Sequence, residues 1–255
     1  MDVLLAMAYR QLKKFLRARA RVLSMLTMPL FWVLFFGVGW ASSMNFPGIE
    51  LILGTDYLSF MLPGVIAMTV FTSGLMSGAS VIWDRQLGFL KEVLVAPTSK
   101  LEAVLGRILG DSLVASLQGS VMLLIGYLIA TNMYLSGALP AIIIMFMTAM
   151  GFSALGVTMA SLRHVKSVEG FFAMVNLLMM PAIFASGAFF PLNNLPDWFW
   201  IISYTDPLTY SVDLMRYFLV GVNKFEPLKD LCALLVFDAS ALLLATKLFE
   251  RSDVE

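Results

Sequence analysis

The sequence predicts an all-α polytopic membrane protein with about six transmembrane helices, and two observations lead to this class. Of the 255 residues, 60% are hydrophobic and 13% are charged, with a mean hydropathy of +0.86. Soluble domains average about 45–50% apolar residues and about 25% charged residues. A core of this length cannot bury the excess of apolar side chains, so many of them must face lipid. The apolar residues also cluster in six long stretches.

The predicted spans follow from the length of these stretches. Crossing about 30 Å of hydrocarbon takes roughly 20 apolar residues in a helix. The stretches that qualify are 22–40, 57–82, 112–130, 138–161, 170–190 and 231–249. Asp238 lies in the middle of the sixth and costs roughly 2.5–3.5 kcal/mol on insertion scales, but the surrounding leucine, valine and phenylalanine residues offset this cost. We expect one membrane domain over 1–255 without a cleaved signal peptide, because the N-terminal basic stretch is long and no A-x-A-like site follows the first apolar run.

The N-terminal segment 1–21 predicts an amphipathic interfacial helix. Leu5, Ala8, Leu12 and Phe15 fall on one helical face. The predicted interfacial cations are Arg10, Lys13, Lys14, Arg17 and Arg21. Such a helix lies in the headgroup plane with its cations against anionic lipid. The alternative is a basic anchor that only fixes the orientation.

Lysine and arginine residues predict the orientation, because they concentrate in cytoplasmic connections. Six precede the first span, four lie in the second connection, two in the fourth and two at the C-terminal end, whereas three lie in the fifth connection. Fourteen cations on one side against three on the other place both termini in the cytoplasm, as an even number of spans requires. We expect a multi-pass protein of the plasma or inner membrane.

Within the second connection, residues 83–100 predict a short amphipathic helix on the membrane surface. Phe89, Leu90, Val93 and Leu94 share one helical face, and Pro97 ends the helix. Ser99 and Glu102 predict a capping box that starts the next helix. Such an element suits docking into a groove of a cytoplasmic partner. The alternative is a solvated hairpin between two spans.

The fifth connection, 191–227, is too long and too apolar for a simple loop. Pro196 and Pro207 stand where helices start, and tryptophan and tyrosine residues such as Trp198 suit the membrane interface. We expect two short helices in the outer leaflet, with Pro191 and Arg216 in the same connection. The alternative is an outer cap without contact to substrate.

Three segments, in this order along the chain, resemble the ABC-2 family of ABC transporter membrane subunits. Near the start, basic, leucine and aromatic residues follow the family's order, with Pro29 and Gly37 in place. The stretch DRQLGFLKEVLVAPTSK is similar to the family's cytoplasmic motif, and SGAFFPLNNLPDWFWIISYTDPLTYSVDLMR is similar to its C-terminal pattern. The resemblance covers nearly the whole chain and is closest to the small permeases grouped with daunorubicin-type drug exporters and nodulation-factor exporters.

The resemblance implies that two copies of this subunit pair with two copies of a separate ATPase, which holds ATP and Mg²⁺. The segment 83–100 would then form the coupling helix that meets the ATPase. The residues expected at this contact are Arg85, Gly88, Phe89, Leu90, Lys91, Glu92, Leu94 and Pro97. Many family members carry glutamate where this chain has Lys91, with Glu92 next.

The residues favour a transporter subunit over two other classes. The sequence has no G-x-x-x-x-G-K-[ST] loop, so nucleotide hydrolysis would occur on a partner and the chain itself is not expected to be an enzyme. An ion-coupled secondary transporter or channel is the alternative, with Asp238 as its deep ionisable group. A membrane-embedded enzyme fits worst, because H-E-x-x-H and G-x-S-x-G are absent and the single histidine, His164, lies in a short loop. With Cys232 as the only cysteine, we expect no cofactor or metal in this chain.

For an ATP-driven exporter, we expect ATP binding on the partner to move the coupling helix and shift two facing subunits between inward- and outward-accessible packings. A hydrophobic or amphiphilic substrate, such as a drug, lipid or lipid-linked glycan, would pass between the subunits along the second and fifth spans. The residues expected along this pathway are Phe60, Phe71, Phe172, Asn176 and Phe184. Membrane lipid is a further expected partner, and we expect no nucleic acid.

Overall fold

A computed structural model describes residues 3–18, 27–40, 49–88, 99–162, 164–165 and 167–251. Within these ranges the chain is helical and contains no β-strand, which confirms the all-α class. The helices are α1 (Val3–Arg17), α2 (Thr27–Gly37, with a π-helix over Val33–Trp40), α3 (Ile49–Leu53), α4 (Tyr57–Met76), α5 (Ala79–Gln86), α6 (Lys100–Ile129), α7 (Ala138–Ala160), α8 (Val168–Ala185), α9 (Asp197–Thr205), α10 (Pro207–Val220) and α11 (Pro227–Arg251).

Five segments of the described residues are long and apolar enough to cross a membrane, which confirms a polytopic membrane protein. They are Tyr57–Gln86, Lys100–Ile129, Leu135–Ala160, Val168–Ala185 and Pro227–Phe249. Each overlaps one of the second to sixth predicted spans. The first predicted span, 22–40, is described only from Thr27 onward, where α2 is shorter than a full span.

Helix α6 starts in the second connection, well before its predicted span at 112. Ser99 is the N-cap residue with an extended backbone (φ −69°, ψ 123°), but its side chain makes no capping hydrogen bond. The capping box predicted from Ser99 and Glu102 was therefore wrong, although the helix begins where it was expected. Leu101, Ala103 and the following apolar residues extend the helical pattern, so the helix continues without a break from the connection into the predicted span.

Helix α4 is the central helix of the bundle, and its side chains are buried along nearly its whole length. It starts at Asp56, whose carboxylate accepts a hydrogen bond from the Ser59 N–H at 3.0 Å. At the turn between α4 and α5, a Cβ on Gly78 would overlap the carbonyl of Gly156 in α7. Small residues of this kind let membrane helices approach closely. The absence of a Cβ on Gly78 therefore lets this turn approach α7 closely.

Helix α11 packs against α7 through aromatic rings and one acidic side chain. The Phe152 ring lies 4.6 Å from that of Phe71 and 4.9 Å from that of Phe237, between ring centroids. Asp238 is 2% exposed and its carboxylate packs on the backbone at Gly151. Neither oxygen of Asp238 has a hydrogen-bond partner within the described part of the chain.

Helices α9 and α10 occupy the fifth connection, where two short helices were expected. α9 follows Pro196, and α10 has Asp206 as N-cap and Pro207 at its first turn. This connection lies at the end of the bundle where α4 starts, because the Tyr57 hydroxyl donates to the Phe189 carbonyl at 3.2 Å. An aromatic cluster joins the two helices to the turn before α11: Trp200, Tyr204, Tyr210 and Phe225.

Candidate functional site

Helix α1 is docked on α6 by a stripe of small residues. A Cβ on Gly106 would overlap the backbone carbonyl of Leu4, and a Cβ on Gly110 would lie 2.9 Å from the Ala8 Cα. The two glycines are four residues apart and so lie on the same face of α6. Phe15, further along α1, is 5% exposed. The N-terminal helix is therefore part of the helical bundle and does not lie on lipid alone.

The apolar face predicted for α1 is only partly buried against the rest of the protein. Ala8 and Phe15 lie on the docked face, but Leu5 is 55% exposed and Leu12 is half-buried. Gln11, a polar residue, is buried on that face instead, at 4% exposure. The contact with the glycines of α6 selects the buried face, because only the side of α1 with its backbone close to α6 is covered.

A buried charge network joins α1, α5 and α6 through Arg10, Ser80, Asp84 and Arg107. The Asp84 carboxylate accepts from Arg10 Nη1 and Nη2 (3.2 and 3.0 Å) and from Arg107 Nη1 (2.8 Å). Arg107 Nη2 donates to Ser80 Oγ at 2.6 Å. The side chains of Asp84 and Arg107 are 4% and 3% exposed. Since a buried charge without its partner is costly, the network favours one relative position of the three helices.

The charge network flanks residues 89–98 of the predicted coupling segment 83–100. Asp84 lies near the end of α5 before these residues, and Arg107 lies near the start of α6 after them. The neighbouring Arg85 donates from Nη2 to the carbonyl of Ala160 at the end of α7, at 3.2 Å. Gly88 adopts φ +77°, a left-handed conformation that glycine reaches without a Cβ clash. A displacement of the segment 89–98 would therefore act on α1, α5, α6 and α7.

The predicted coupling residues beyond Gly88 lie outside the described residues: Phe89, Leu90, Lys91, Glu92, Leu94 and Pro97. Arg21 of the interfacial set also lies outside them. Among the described cations, Lys13 stands over the Tyr9 ring, 5.4 Å from its centroid. A surface groove of about 600 Å³ is lined by Tyr9, Arg10, Lys13, Lys14, Arg17 and Ala18. This cationic lining suits an anionic surface.

A second candidate site is a cavity of about 300 Å³ between α2, α4, α6 and α8, called here the lateral cavity. Its apolar wall consists of Met28, Pro29, Trp32, Val65, Met68, Met76, Met179, Met180, Ile183 and Phe184. Its polar wall consists of Thr69, Thr72, Ser73 and Gln118. Methionine side chains are unbranched and adapt to ligands of different shape. A largely apolar cavity of this size with a few polar groups suits a small amphiphile.

The residues predicted along the substrate pathway are not brought together. Phe184 lines the lateral cavity. Phe60 and Phe71 are 3% and 2% exposed and belong to the core of the bundle. Phe172 is half-buried beside the Phe171 ring, and Asn176 is exposed on α8. The methionines of the cavity were missed, because they are scattered along the sequence and form no motif.

The residues predicted in the fifth connection differ in their environment. Trp198 is 62% exposed, as expected of an interfacial anchor, and Pro191 lines a cavity with Arg216. Burial raises the pKa of Asp206 to about 7, although the Leu208 N–H donates to it. Burial also lowers the pKa of Arg216 to about 10, so this guanidinium remains charged at neutral pH. Its burial was missed, because the sequence counts Arg216 as a loop cation.

Comparison with known proteins finds a family whose sequence pattern matches most of this chain. Residues 2–220 match the family described as ABC-2 type transporter. The chain is 27% identical to the transport permease ycf38 of Cyanophora paradoxa, over 97% of this chain and 88% of that protein. It is 26% identical to nodulation protein J of Rhizobium leguminosarum bv. trifolii, over 92% and 87%. It is 29% identical to the multidrug ABC transporter permease YbhR of Escherichia coli (strain K12), over 63% and 44%.

Proposed function

Because this chain belongs to the ABC-2 type transporter family and is a membrane transporter subunit without a catalytic ATPase of its own, we propose that it is the permease of an ATP-driven exporter. A separate ATPase, holding ATP and Mg²⁺, supplies the energy. Two copies of the permease and two of the ATPase form the complex. It resides in the plasma or inner membrane with both termini in the cytoplasm, as the fourteen cations on one side favour.

The observation that carries this proposal is the charge network around the segment 89–98. A segment that transmits movement needs firm attachment at both ends, and here Asp84 and Arg107 are hydrogen-bonded to each other across its two ends. Because packed helices have discrete arrangements and do not deform continuously, movement at the surface becomes a change in helix packing. The ATPase would act on Phe89, Leu90, Lys91, Glu92, Leu94 and Pro97, with Arg85 and Gly88 at the junction to α5.

The effect of ATP follows from differential binding. ATP needs only to favour one packing of the two permeases over the other, since a ligand shifts a conformational equilibrium by its difference in affinity for the two states. Helix α1 shares the charge network and the glycine contact with α6. It would therefore move together with α6 as one body during the cycle.

The substrate class is a hydrophobic or amphiphilic molecule, such as a drug, a lipid or a lipid-linked glycan. The lateral cavity supports this choice. It lies between α4 and α8, the second and fifth spans along which the substrate pathway is predicted, together with α2 and α6. Its apolar wall would accept a chain or ring system, and Thr69, Thr72, Ser73 and Gln118 would accept a polar group of the same molecule. The related proteins named as a multidrug transporter permease and a nodulation protein fit this breadth.

The test is co-expression of the chain with its ATPase and purification through a tag on the permease. Glu92→Arg and Leu94→Asp are expected to reduce both the ATPase recovered with the permease and the hydrolysis stimulated by substrate. Glu169→Arg is the matched control, because Glu169 is exposed in the first turn of α8, next to the end of α7, and outside the segment. If both segment variants assemble and hydrolyse ATP as the control does, the coupling role is wrong.

A further inference from the structure

A cavity of about 340 Å³ lies at the end of the bundle opposite the charge network, called here the far cavity. It is lined by Ile52, Leu53, Phe60, Ser186, Pro191, Leu192, Asn193, Thr209, Asp213, Arg216, Val222, Asn223, Lys224 and Phe225. The lining thus combines apolar residues from α3 and α4 with polar residues from α10 and the turns around it. Neither the coupling segment nor the lateral cavity includes any of these residues.

Arg216 is the buried cation of the far cavity, at 6% exposure. Its Nε donates to the Phe60 carbonyl at 3.1 Å and its Nη2 to the Gly187 carbonyl at 2.9 Å. Its guanidinium also lies over the Phe60 ring, 3.8 Å from the centroid. Guanidinium carries five N–H donors, so these two bonds leave donors free. The contacts fix the orientation of the group without neutralising its charge.

The carboxylate nearest in sequence to Arg216 is already occupied. Asp213 accepts from the backbone N–H of Lys224 (2.9 Å to each oxygen) and of Phe225 (2.8 Å). Among the ion pairs of the described residues, none includes Arg216. Asp230 lies beside Asp213 and is fully buried, but it does not line the cavity.

A second cation stands at the wall of the far cavity. Lys224 Nζ donates to Asn193 Oδ1 at 2.5 Å and lies 5.3 Å from the centroid of the Trp200 ring. The charged residues of the lining are therefore Arg216, Lys224 and Asp213, two cations and one anion whose oxygens bind backbone N–H groups. Asp213 acts electrostatically on Arg216 from beyond ion-pair distance and offsets part of its charge. The lining still carries one more cation than anions, and an anion entering the cavity would offset the remaining positive charge.

We infer that the far cavity binds the phosphate group of an amphiphile. Arg216 supplies donors in a fixed orientation, which suits phosphate geometry, and Lys224 supplies a second positive charge. Ile52, Leu53 and Val222 provide an apolar edge for the part of the molecule next to the phosphate. The inference builds on the proposed export function, because it makes the far cavity the place where the head of an anionic substrate rests opposite the ATPase side.

The test uses the permease alone in phosphatidylcholine nanodiscs, so that it is independent of ATPase coupling. The probes are short-chain phosphatidic acid and diacylglycerol of the same chain length, and calorimetry gives their dissociation constants. Phosphatidic acid is expected to bind about tenfold more tightly than diacylglycerol. Equal affinity for phosphatidic acid and diacylglycerol would overturn the inference and leave the proposed coupling to the ATPase unaffected. Loss of that coupling, with the preference for phosphatidic acid retained, would affect only the proposed function.

Variants identify the residue responsible. Arg216→Gln is expected to weaken phosphatidic acid binding by about tenfold, and Arg216→Lys by less, because lysine keeps the charge and loses the fork. Lys229→Gln is the matched control, because Lys229 is 76% exposed, pairs with Glu226 and lies outside the cavity. Equal binding by Arg216→Gln and the control would overturn the inference. If Arg216→Gln does not fold, Lys224→Gln replaces it, with the same expected direction and the same refuting result.

Inorganic phosphate separates the two sources of the anion. Displacement of phosphatidic acid by excess inorganic phosphate would support a site that reads the phosphate group alone. Failure of inorganic phosphate to displace it, with the preference over diacylglycerol retained, would support a site that reads phosphate together with its apolar neighbour. Displacement of phosphatidic acid by sodium chloride at the same ionic strength would overturn the inference. The preference for phosphatidic acid would then reflect only general electrostatic attraction, which salt screens.

Discussion

The charge network predicts an unequal response to the loss of its two arginines. In Arg107→Met the methionine keeps much of the apolar stem, but Asp84, with its side chain 4% exposed, retains only Arg10. Breaking a buried ion pair by removing one partner costs about 3–5 kcal/mol. Arg10 is 31% exposed, so water replaces part of its contact in Arg10→Met. We expect that variant to lose about 1.5–3 kcal/mol, the range of a hydrogen bond to a charged group.

The assay is equilibrium unfolding of the purified chain in mixed detergent micelles, followed by circular dichroism. A double-mutant cycle with Asp84→Asn completes the design: the double variant Asp84→Asn with Arg107→Met is expected to lose less than the sum of the single losses, by about 1–3 kcal/mol. Equal losses for the two arginine variants would refute the reasoning. So would an additive double variant, because the two side chains would then not interact.

Three further predictions concern other parts of the molecule. Gly106→Val is expected to displace α1 from α6 and expose α1 to limited proteolysis. Gly170→Val is the control and should leave the digestion pattern unchanged, because a Cβ at Gly170 has ordinary van der Waals space. Equal digestion patterns for the two variants would contradict the docking of α1 on α6. Thr72→Trp is expected to fill part of the lateral cavity and abolish substrate-stimulated hydrolysis while basal hydrolysis persists, and Leu177→Trp, at a site 75% exposed, is expected to do neither. The pKa of Asp206 rises from 3.8 to about 7 on folding, so the folded chain binds the extra proton and stability falls as pH increases between these values, by at most about 1.4 kcal/mol per pH unit. Asp206→Asn keeps a capping group and should make that decline shallower in thermal unfolding curves. An unchanged decline would exclude Asp206 as a contributor.

The sequence predicts the helical class and most of the spans because their signals are local. Apolar length alone predicts the long helices, and Pro196 and Pro207 mark the starts of α9 and α10. The orientation and the coupling role also come from local patterns, of charge and of resemblance, and they stay predictions. The same local signals fail at Ser99, whose residue type suits a cap although its hydroxyl makes no such bond.

The contacts of the candidate sites depend on residues far apart in the sequence, which no periodicity reveals. Asp84 is 74 positions from Arg10 and 23 from Arg107, and their meeting requires the docking of α1 on α6. Arg216 bonds a carbonyl 156 positions away, so its burial follows from tertiary packing. A signal for the second case does exist: Asp213 and Arg216 stand three positions apart within a helix whose other residues are uncharged.

The most direct measurement of the central claim is cross-linking of the coupling segment to the ATPase. Cys232 is the only cysteine and is exposed, so Cys232→Ser provides a cysteine-free background. In that background, Glu92→Cys is expected to form a maleimide cross-link with the co-expressed ATPase, and the extent of cross-linking should change when ATP is added. Lys229→Cys, at the other end of the bundle, should form none. Absence of any cross-link from position 92 in a complex that still hydrolyses ATP would contradict the account.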